Sequence, residues 1–338
     1  MAGWRTWLNW NLGGGTRAAR LFEAGNDASF IDDHASALSM YEKSLDLFRG
    51  FERWDAVLEL RIKIGATCQA LGEFTAARTH YEQAVSLARN QKSLTQLPMA
   101  LCGLASVTAC QGDYALARRL CTECLGIWSD PEQVLGVAAV QTIMGQMAET
   151  KAAAREQYMS ALKIYQDKGY QDGIVATLCS LGHLAEAGAD NAKERAALEE
   201  CLEFCDVSDS IKTRAYALNN LGNIERFAGQ LDKAQELYRD SLHLKQQIND
   251  AWAIAYTLDG CAAITLERGQ STNSARLLGR AAAIRERLGT PLEPHMRQEI
   301  QALHEQTRAS LNPIDFEAAW LAGERMTTNE AIDEALHE

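Results

Sequence analysis

The sequence predicts an all-α fold, a stack of about seven helix-hairpin repeats with a 40-residue period. The first observation is a recurring segment: GEFTAARTHYEQAVSL (72–87), GDYALARRLCTECLGI (112–127), GQLDKAQELYRDSLHL (229–244) and GQSTNSARLLGRAAAI (269–284). Each opens on Gly, has a small residue five places on, and Tyr, Cys or Leu (Tyr81, Cys121, Tyr238, Leu278) four places later. DDHASALSMYEKSLDL (32–47), ETKAAAREQYMSALKI (149–164) and ADNAKERAALEECLEF (189–204) enter the same register, so positions 37, 77, 117, 154, 194, 234 and 274 recur at steps of 40 with a single step of 37. The second observation is a motif seven residues before most of those glycines: Ile64-Gly65, Leu104-Ala105, Leu181-Gly182, Leu221-Gly222, and Met144-Gly145 in the shortened copy. The third is that both segments place apolar residues at i, i+3, i+4 and i+7 in a chain with only 5 Pro, which is the pattern of amphipathic helices. Each unit therefore reads as helix A, tight turn, helix B.

In chain order, residues 1–15 are expected to form a short N-terminal cap helix whose Trp4, Trp7 and Trp10, spaced i, i+3, cover the first repeat. Residues 16–290 hold the seven repeats. Small residues at the A/B crossing (Ala77, Gly182, Gly222, Ala234) let the helices nest, because interaxial distance follows side-chain size at the contact. One hairpin cannot bury its apolar face alone, so neighbours stack into a continuous core that needs end caps. Residues 291–338 are that C-terminal helical cap. Helices open after Pro291/Pro294 and at Pro313, where a fixed φ suits the first turn. Thr327 and Glu330 make a capping box, and Leu303, Phe316, Trp320 and Leu321 cover the final repeat.

Composition excludes several classes. The chain of 338 residues carries 33 Lys plus Arg against 45 Asp plus Glu, a formal charge of −12, which opposes the phosphate neutralisation that nucleic-acid binding needs. The longest apolar runs, such as 134–140, fall far short of the roughly 20 residues of a membrane span. The N-terminus lacks the basic and apolar regions of a secretory signal, so a cytoplasmic protein is expected. Nine Cys at irregular spacing do not read as a disulfide framework.

The pattern Leu221-Gly222, Gly229, Ala234, Tyr238, Ser241 resembles the tetratricopeptide repeat over about residues 16–290, in a longer variant than its common form of about 34 residues. That resemblance implies a right-handed superhelix. ARLLG (275–279), RERLGTPL (285–292), FEAAW-x-x-G (316–323) and EAIDEAL (330–336) resemble the C-terminal end of bacterial signal-transduction NTPases with tetratricopeptide sensor arms, a group that includes maltose-activator-like regulators, actinobacterial antibiotic regulators and some repeat-bearing cyclases. The resemblance implies an N-terminal nucleotide-binding switch and a sensor that binds a small molecule or a protein. No G-x-x-x-x-G-K-[ST] occurs, and Gly13-Gly14-Gly15-Thr16-Arg17 lacks the Lys of a phosphate loop. The chain is accordingly expected to be the sensor arm, with an NTPase switch domain upstream or in trans.

No catalytic residue, cofactor or metal is expected. Cys121-x-x-Cys124 and Cys201-x-x-x-Cys205 could suggest a thiolate zinc site, but Cys124 and Cys201 fall at the repeat position of Ala84, Ser241 and Ala281, and Cys121 at that of Tyr81. They read as core residues. The seven His show no H-E-x-x-H pair.

Candidate binding residues come from A-helix positions that the core does not claim. Asn219, Asn223 and Arg226 share one helical face. His183 and Glu186 (with Cys179) hold the equivalent places in the preceding helix, and Asp259 (with Ala263) in the following one. The resemblance places this face in the concave groove where ligands lie, and Asn offers donor and acceptor to a peptide main chain or a sugar hydroxyl. Tyr216 and Tyr256, one turn earlier in two successive helices, form an aromatic wall or pack in the core. A carboxylate clamp would need Lys, Asn and Arg at these places across successive A helices, which instead hold Ile62, Ala66, Cys102, Ser106, Thr142 and Gln146. The expected function is a non-catalytic module that binds a protein, a peptide or a small-molecule effector, or else a free-standing scaffold that binds peptide segments of partners. Contact with nucleic acid or a membrane is not expected.

Overall fold

Segments that are apolar on one face and nearly free of proline have one local solution, and in the computed structural model they take it. The structure describes residues 15–31, 33–128, 134–186, 191–208 and 211–336, and among them it contains 17 helices and no strand. The expected Trp4, Trp7 and Trp10 cap lies outside the described residues. Seven hairpins follow one another: α1 (Gly15–Phe30) with α2 (His34–Gly50), α3 (Trp54–Ala70) with α4 (Phe74–Gln91), α5 (Gln96–Cys110) with α6 (Tyr114–Ile127), α7 (Val134–Gln146) with α8 (Lys151–Lys168), α9 (Gln171–Gly182) with α10 (Ala192–Ser208), α11 (Ile211–Phe227) with α12 (Leu231–Gln247), and α13 (Ala251–Glu267) with α14 (Ser271–Leu288). Three further helices end the chain, α15 (Pro294–Ala309), α16 (Pro313–Arg325) and α17 (Thr328–Leu336). By internal packing the chain forms two compact units, residues 1–136 and 137–338.

The turn chemistry repeats with the sequence. In four hairpins helix A is followed by a glycine in the left-handed region (Gly72, Gly112, Gly229 and Gly269; φ 75° at Gly229), where a side chain would be strained. The backbone N–H groups of Gly229 and Gln230 then donate back to Arg226 O and Glu225 O at 2.9 Å each. Where an acidic or hydroxyl residue precedes a helix it caps it: Asp113 accepts from Leu116 N at 3.2 Å, Thr150 from Ala153 N at 3.2 Å, and Asp250 from Ala253 N at 3.0 Å.

Packing explains the small-residue register. Ala37, Ala77, Ala117, Ala154, Ala234 and Ser274 are all 0% exposed. A Cβ added at Gly222 would lie 2.5 Å from the Tyr238 ring, and one at Gly260 would lie 2.6 Å from its Cζ. The tyrosine of helix B is thus clasped between glycines of its own A helix and the next one. In the first unit, Gly65 and Gly103 clasp Tyr81 in the same way. Replacing Ala234 with Leu should therefore destabilise the protein by about 1–3 kcal/mol through overpacking; an unchanged thermal midpoint would show that this crossing has slack.

The cysteines of the repeat register are core residues with a backbone partner. Ser44, Cys124, Cys201 and Ser241 donate to the carbonyls of Ala18, Pro98, Val175 and Ala215, each 26 residues earlier, at 2.8, 3.5, 3.7 and 2.6 Å. Serine and cysteine at this position clip helix B to helix A. Burial pushes the Cys102 thiol up to about 12 and the Cys124 thiol higher still.

In the second unit, α16 lies on α14 with backbone almost touching backbone. A Cβ at Gly279 would lie 2.5 Å from the Trp320 carbonyl oxygen, and one at Gly323 would overlap the Arg276 carbonyl oxygen. Phe316 and Ala319 are buried there, while Leu321, expected to cover the last repeat, is 37% exposed, because it sits on the opposite side of α16 from Phe316 and Ala319. The Thr327–Glu330 capping box forms in both directions: Thr327 N donates to Glu330 Oε2 at 2.7 Å and Glu330 N to Thr327 Oγ1 at 3.2 Å. It starts α17, whose Ala331, Ile332 and Ala335 join Leu242, Ile254 and Leu258 in one core. No helix is long and apolar enough to cross a membrane among the described residues.

Candidate functional site

The expected binding face, formed by α9, α11 and α13 of the second unit, is covered in part by the chain itself. Helix α15 lies across it. Glu299 accepts from Arg226 Nη2 and from Lys151 Nζ, both at 3.2 Å, and the Nε2 of His183 stands 2.9 Å from Met296 Sδ. Sequence periodicity places residues on faces but says nothing about which later helix returns to them. The segment 291–309 therefore read only as a cap.

The candidates fall into three groups. Arg226 bridges Glu267 at 3.2 Å and Glu299, with its guanidinium 4.4 Å from the Phe227 ring centroid. Asn223 accepts from Tyr238 OH at 2.6 Å, so it is tied to the tyrosine clasp. His183 caps the end of α9 and Glu186 lies beyond it. This corrects the expectation that both continue a helical face, since the turn 183–186 breaks the i, i+3 geometry. The Glu186 backbone pairs with the Asn191 side-chain amide in both directions at 2.9 Å.

The second correction concerns Asn219 and Asp259, expected on a face left clear by the core. They are each 4% exposed. Asn219 Oδ1 accepts from Thr257 Oγ1 at 2.7 Å and from Lys245 Nζ at 3.2 Å, and Asp259 is ion-paired with Arg285. Burial raises the Asp259 carboxyl, and Arg285 draws it back down.

Lys245 is the functional-looking residue that sequence reasoning missed. It comes from helix B, yet its side chain is 1% exposed and ends in the A-helix face, donating to Thr257 Oγ1 at 2.6 Å and lying 5.3 Å from the Tyr216 ring centroid. Burial pulls its amine down to about 7, with Asp250 opposing. No pattern flags it, because a lysine on the outer helix of a repeat is ordinary on sequence grounds. Tyr216 donates to Asp250 Oδ2 at 2.9 Å, and burial followed by this carboxylate pushes its phenol well up. Trp252 was also missed: it stacks on Tyr216 (6.2 Å, 24°) and meets Tyr256 at 4.5 Å. The i, i+4 spacing of Trp252 and Tyr256 on α13 was a readable signal.

Beside this aromatic row, Asp259, Leu278, Arg285, Arg297, His304 and Trp320 help line a cleft of about 490 Å³. Its size is within the range of small-ligand pockets. The arrangement presents two cations (Lys151, Arg226), an aromatic row and amide groups on one side of the unit, which suits an acidic or amphipathic segment.

Comparison with known proteins agrees with the fold. Family models described as tetratricopeptide repeat match residues 17–90 and 214–250. No curated protein sequence matches the chain significantly. Among solved structures, the chain is similar to a Rap protein complexed with competence and sporulation factor, with a TM-score of 0.61 and 14% identity over 88% of this chain and 78% of that one. It is also similar to the Rap conjugation gene regulator of the plasmid pLS20 in complex with the Phr* peptide, with a TM-score of 0.65 and 14% identity over 79% of this chain and 73% of that one. At this identity the likeness is one of fold: the protein has an all-helical, tetratricopeptide-like repeat fold.

Proposed function

We propose that this protein is a non-catalytic recognition module that binds a peptide segment of a partner on the A-helix face of its second unit. In this reading it serves as the effector-sensing arm of a bacterial signalling or transcription regulator of the maltose-activator-like kind, acting in the cytoplasm. The observation that carries the reading is helix α15 on that face. An amphipathic helix is held there by an acidic side chain between two cations, Arg226 and Lys151, and by Met296 against His183. Helix-in-groove recognition uses this same chemistry when the helix belongs to a partner. The two Rap structures of similar fold are complexes with competence and sporulation factor and with a Phr peptide, which supports a peptide as the ligand class. A module without catalysis acts only through differential affinity for two states, so the reading requires a switch domain, such as an NTPase, in the same protein or in trans. A free-standing adaptor is the second reading, and the 490 Å³ cleft beside Arg285 and Arg297 favours a small-molecule effector as a variant of the first.

The test is selection of a displayed peptide library against the full chain, followed by affinity measurements on the variants. Asn223→Ala with Arg226→Ala should weaken the selected peptides by about tenfold or more, the order expected for loss of a charged contact. It should also lower the thermal midpoint, since Arg226 holds α15 and Asn223 holds Tyr238. Glu299→Gln should do the reverse for acidic peptides, tightening them by releasing Arg226 and Lys151. Peptides bound equally by all three proteins would remove this face from the site.

A further inference from the structure

Where α15 begins, three metal-ligating side chains converge under it: His183 at the end of α9, and Glu293 and His295 flanking Pro294. One ligand atom from each lies within 4.8 Å of the others. We propose that His183, Glu293 and His295 bind a divalent transition ion, Zn2+ by the chemistry of the donors, which staples the start of α15 to the A-helix face.

The hydrogen-bond pattern around these groups lacks a partner that a cation would supply. The amide of Asn220 is oriented by its Nδ2, which donates to the Cys179 carbonyl at 2.9 Å. Its Oδ1 therefore faces His183 Nδ1 at 3.2 Å and accepts that nitrogen's proton. The His183 tautomer follows: Nε2 carries the lone pair, and what it meets, Met296 Sδ at 2.9 Å, has no proton to give. Fixing a ligand imidazole through its other nitrogen is how protein metal sites orient their histidines.

His295 makes the same demand. Its side chain is 1% exposed, and neither ring nitrogen has a hydrogen-bond partner of good geometry, although the Ala148 backbone is near. Buried polar atoms in native proteins are nearly always satisfied. Glu293 is the N-cap residue of α15, but its side chain caps nothing. Its Oε2 stands 3.4 Å from His295 Nε2, which matches the separation of about 3.4 Å between two ligand atoms of a tetrahedral ion with arms of about 2.1 Å. Two cations near His183 would oppose a metal: Lys151, which is offset by Glu299 at 3.2 Å, and Lys245, which is tied to Thr257 and Asn219. Two imidazoles and a carboxylate are the ligand set of borderline ions, with a fourth position left for water or Met296.

The proposal does not depend on peptide binding and has its own test. The full chain, stripped with a chelator, is titrated with Zn2+ by calorimetry and weighed by native mass spectrometry. One equivalent per chain is expected, with a rise in thermal midpoint. His295→Phe keeps the ring volume and His295→Phe with Glu293→Gln removes two ligands; both should lose the high-affinity equivalent by at least tenfold while circular dichroism stays helical. Co2+ in the native chain should give the visible bands of a tetrahedral site without thiolate-to-cobalt charge transfer, which separates this cluster from the nine cysteines. A native chain that takes up no Zn2+, a double variant that takes up as much as the native chain, or a thiolate signature would each overturn the assignment.

Discussion

Replacing Lys245 with Met should make the protein more stable at pH 7, by an amount on the order of a few kcal/mol, and should remove a pH dependence above neutrality. The buried amine loses its proton near pH 7 in the folded chain, against 10.5 ordinarily. Between those values the unfolded chain holds the extra proton, so raising pH favours folding; the destabilisation is fully present below about pH 7 and is gone above about 10.5. Each pK unit corresponds to about 1.4 kcal/mol. Part of that is already offset by the bonds to Thr257 and Asn219, which also bond each other at 2.7 Å, so that neither should lack a partner once the amine is removed. Methionine has nearly the length of the lysine stem and no charge to desolvate. Thermal midpoints from pH 6 to 10 check this, read as native minus variant, because the buried cysteines, whose thiols are pushed up in the fold, oppose the trend at high pH in both proteins. A variant less stable than the native chain at pH 7 would show that the amine's hydrogen bonds outweigh its burial.

The second large effect is expected at Gly323. Alanine there should destabilise the second unit by about 1–3 kcal/mol, although in an exposed helix the same change gains about 0.5–1 kcal/mol. The reason is that its Cβ would meet the Arg276 carbonyl, a backbone atom that no rotamer change can move. Gly126, with nothing within 4 Å of a built Cβ, supplies the control: Gly126→Ala should be neutral or stabilising. Tryptophan fluorescence would report α16 lifting from α14, since Trp320 packs against the core that Leu277 and Leu278 of α14 help form. Gly279→Ala should give a similar loss, and the two together less than the sum, because both glycines serve one crossing. Equal midpoints for Gly323→Ala and the native chain would mean that the two helices are not held this close.

The repeat was legible residue by residue. Ala37, Ala77, Ala117, Ala154 and Ala234 are buried at the register positions, Gly65 and Gly222 meet Tyr81 and Tyr238, and Cys124 and Cys201 stand where Ser44 and Ser241 stand. These are contacts within a hairpin or between neighbours, where position in the period implies the partner. Glu194, in the alanine register, is the exception that tertiary context permits: Arg155 from the preceding hairpin meets it at 2.7 Å. The candidate site was legible only in part. Arg226 lies on the A-helix face that α15 covers, but His183 only caps α9, and Asn219 and Asp259 are buried against Lys245 and Arg285, both from B helices.

What the sequence by itself determined is the hairpin: helix lengths, the glycine turns, the caps, the small residues at each crossing and the tyrosines they clasp. All of these depend on residues at most one period apart, so the repeat writes them again and again: a small buried crossing residue in six hairpins, a left-handed glycine turn in four and the register tyrosine in four. What only the tertiary structure decided is where the unrepeated end of the chain goes. Glu299 reaches Arg226 across 73 residues and Lys151 across 148, and Met296 reaches His183 across 113. No local propensity or period encodes such separations. They are set by the shape and charge of a face that exists only once the repeats have stacked.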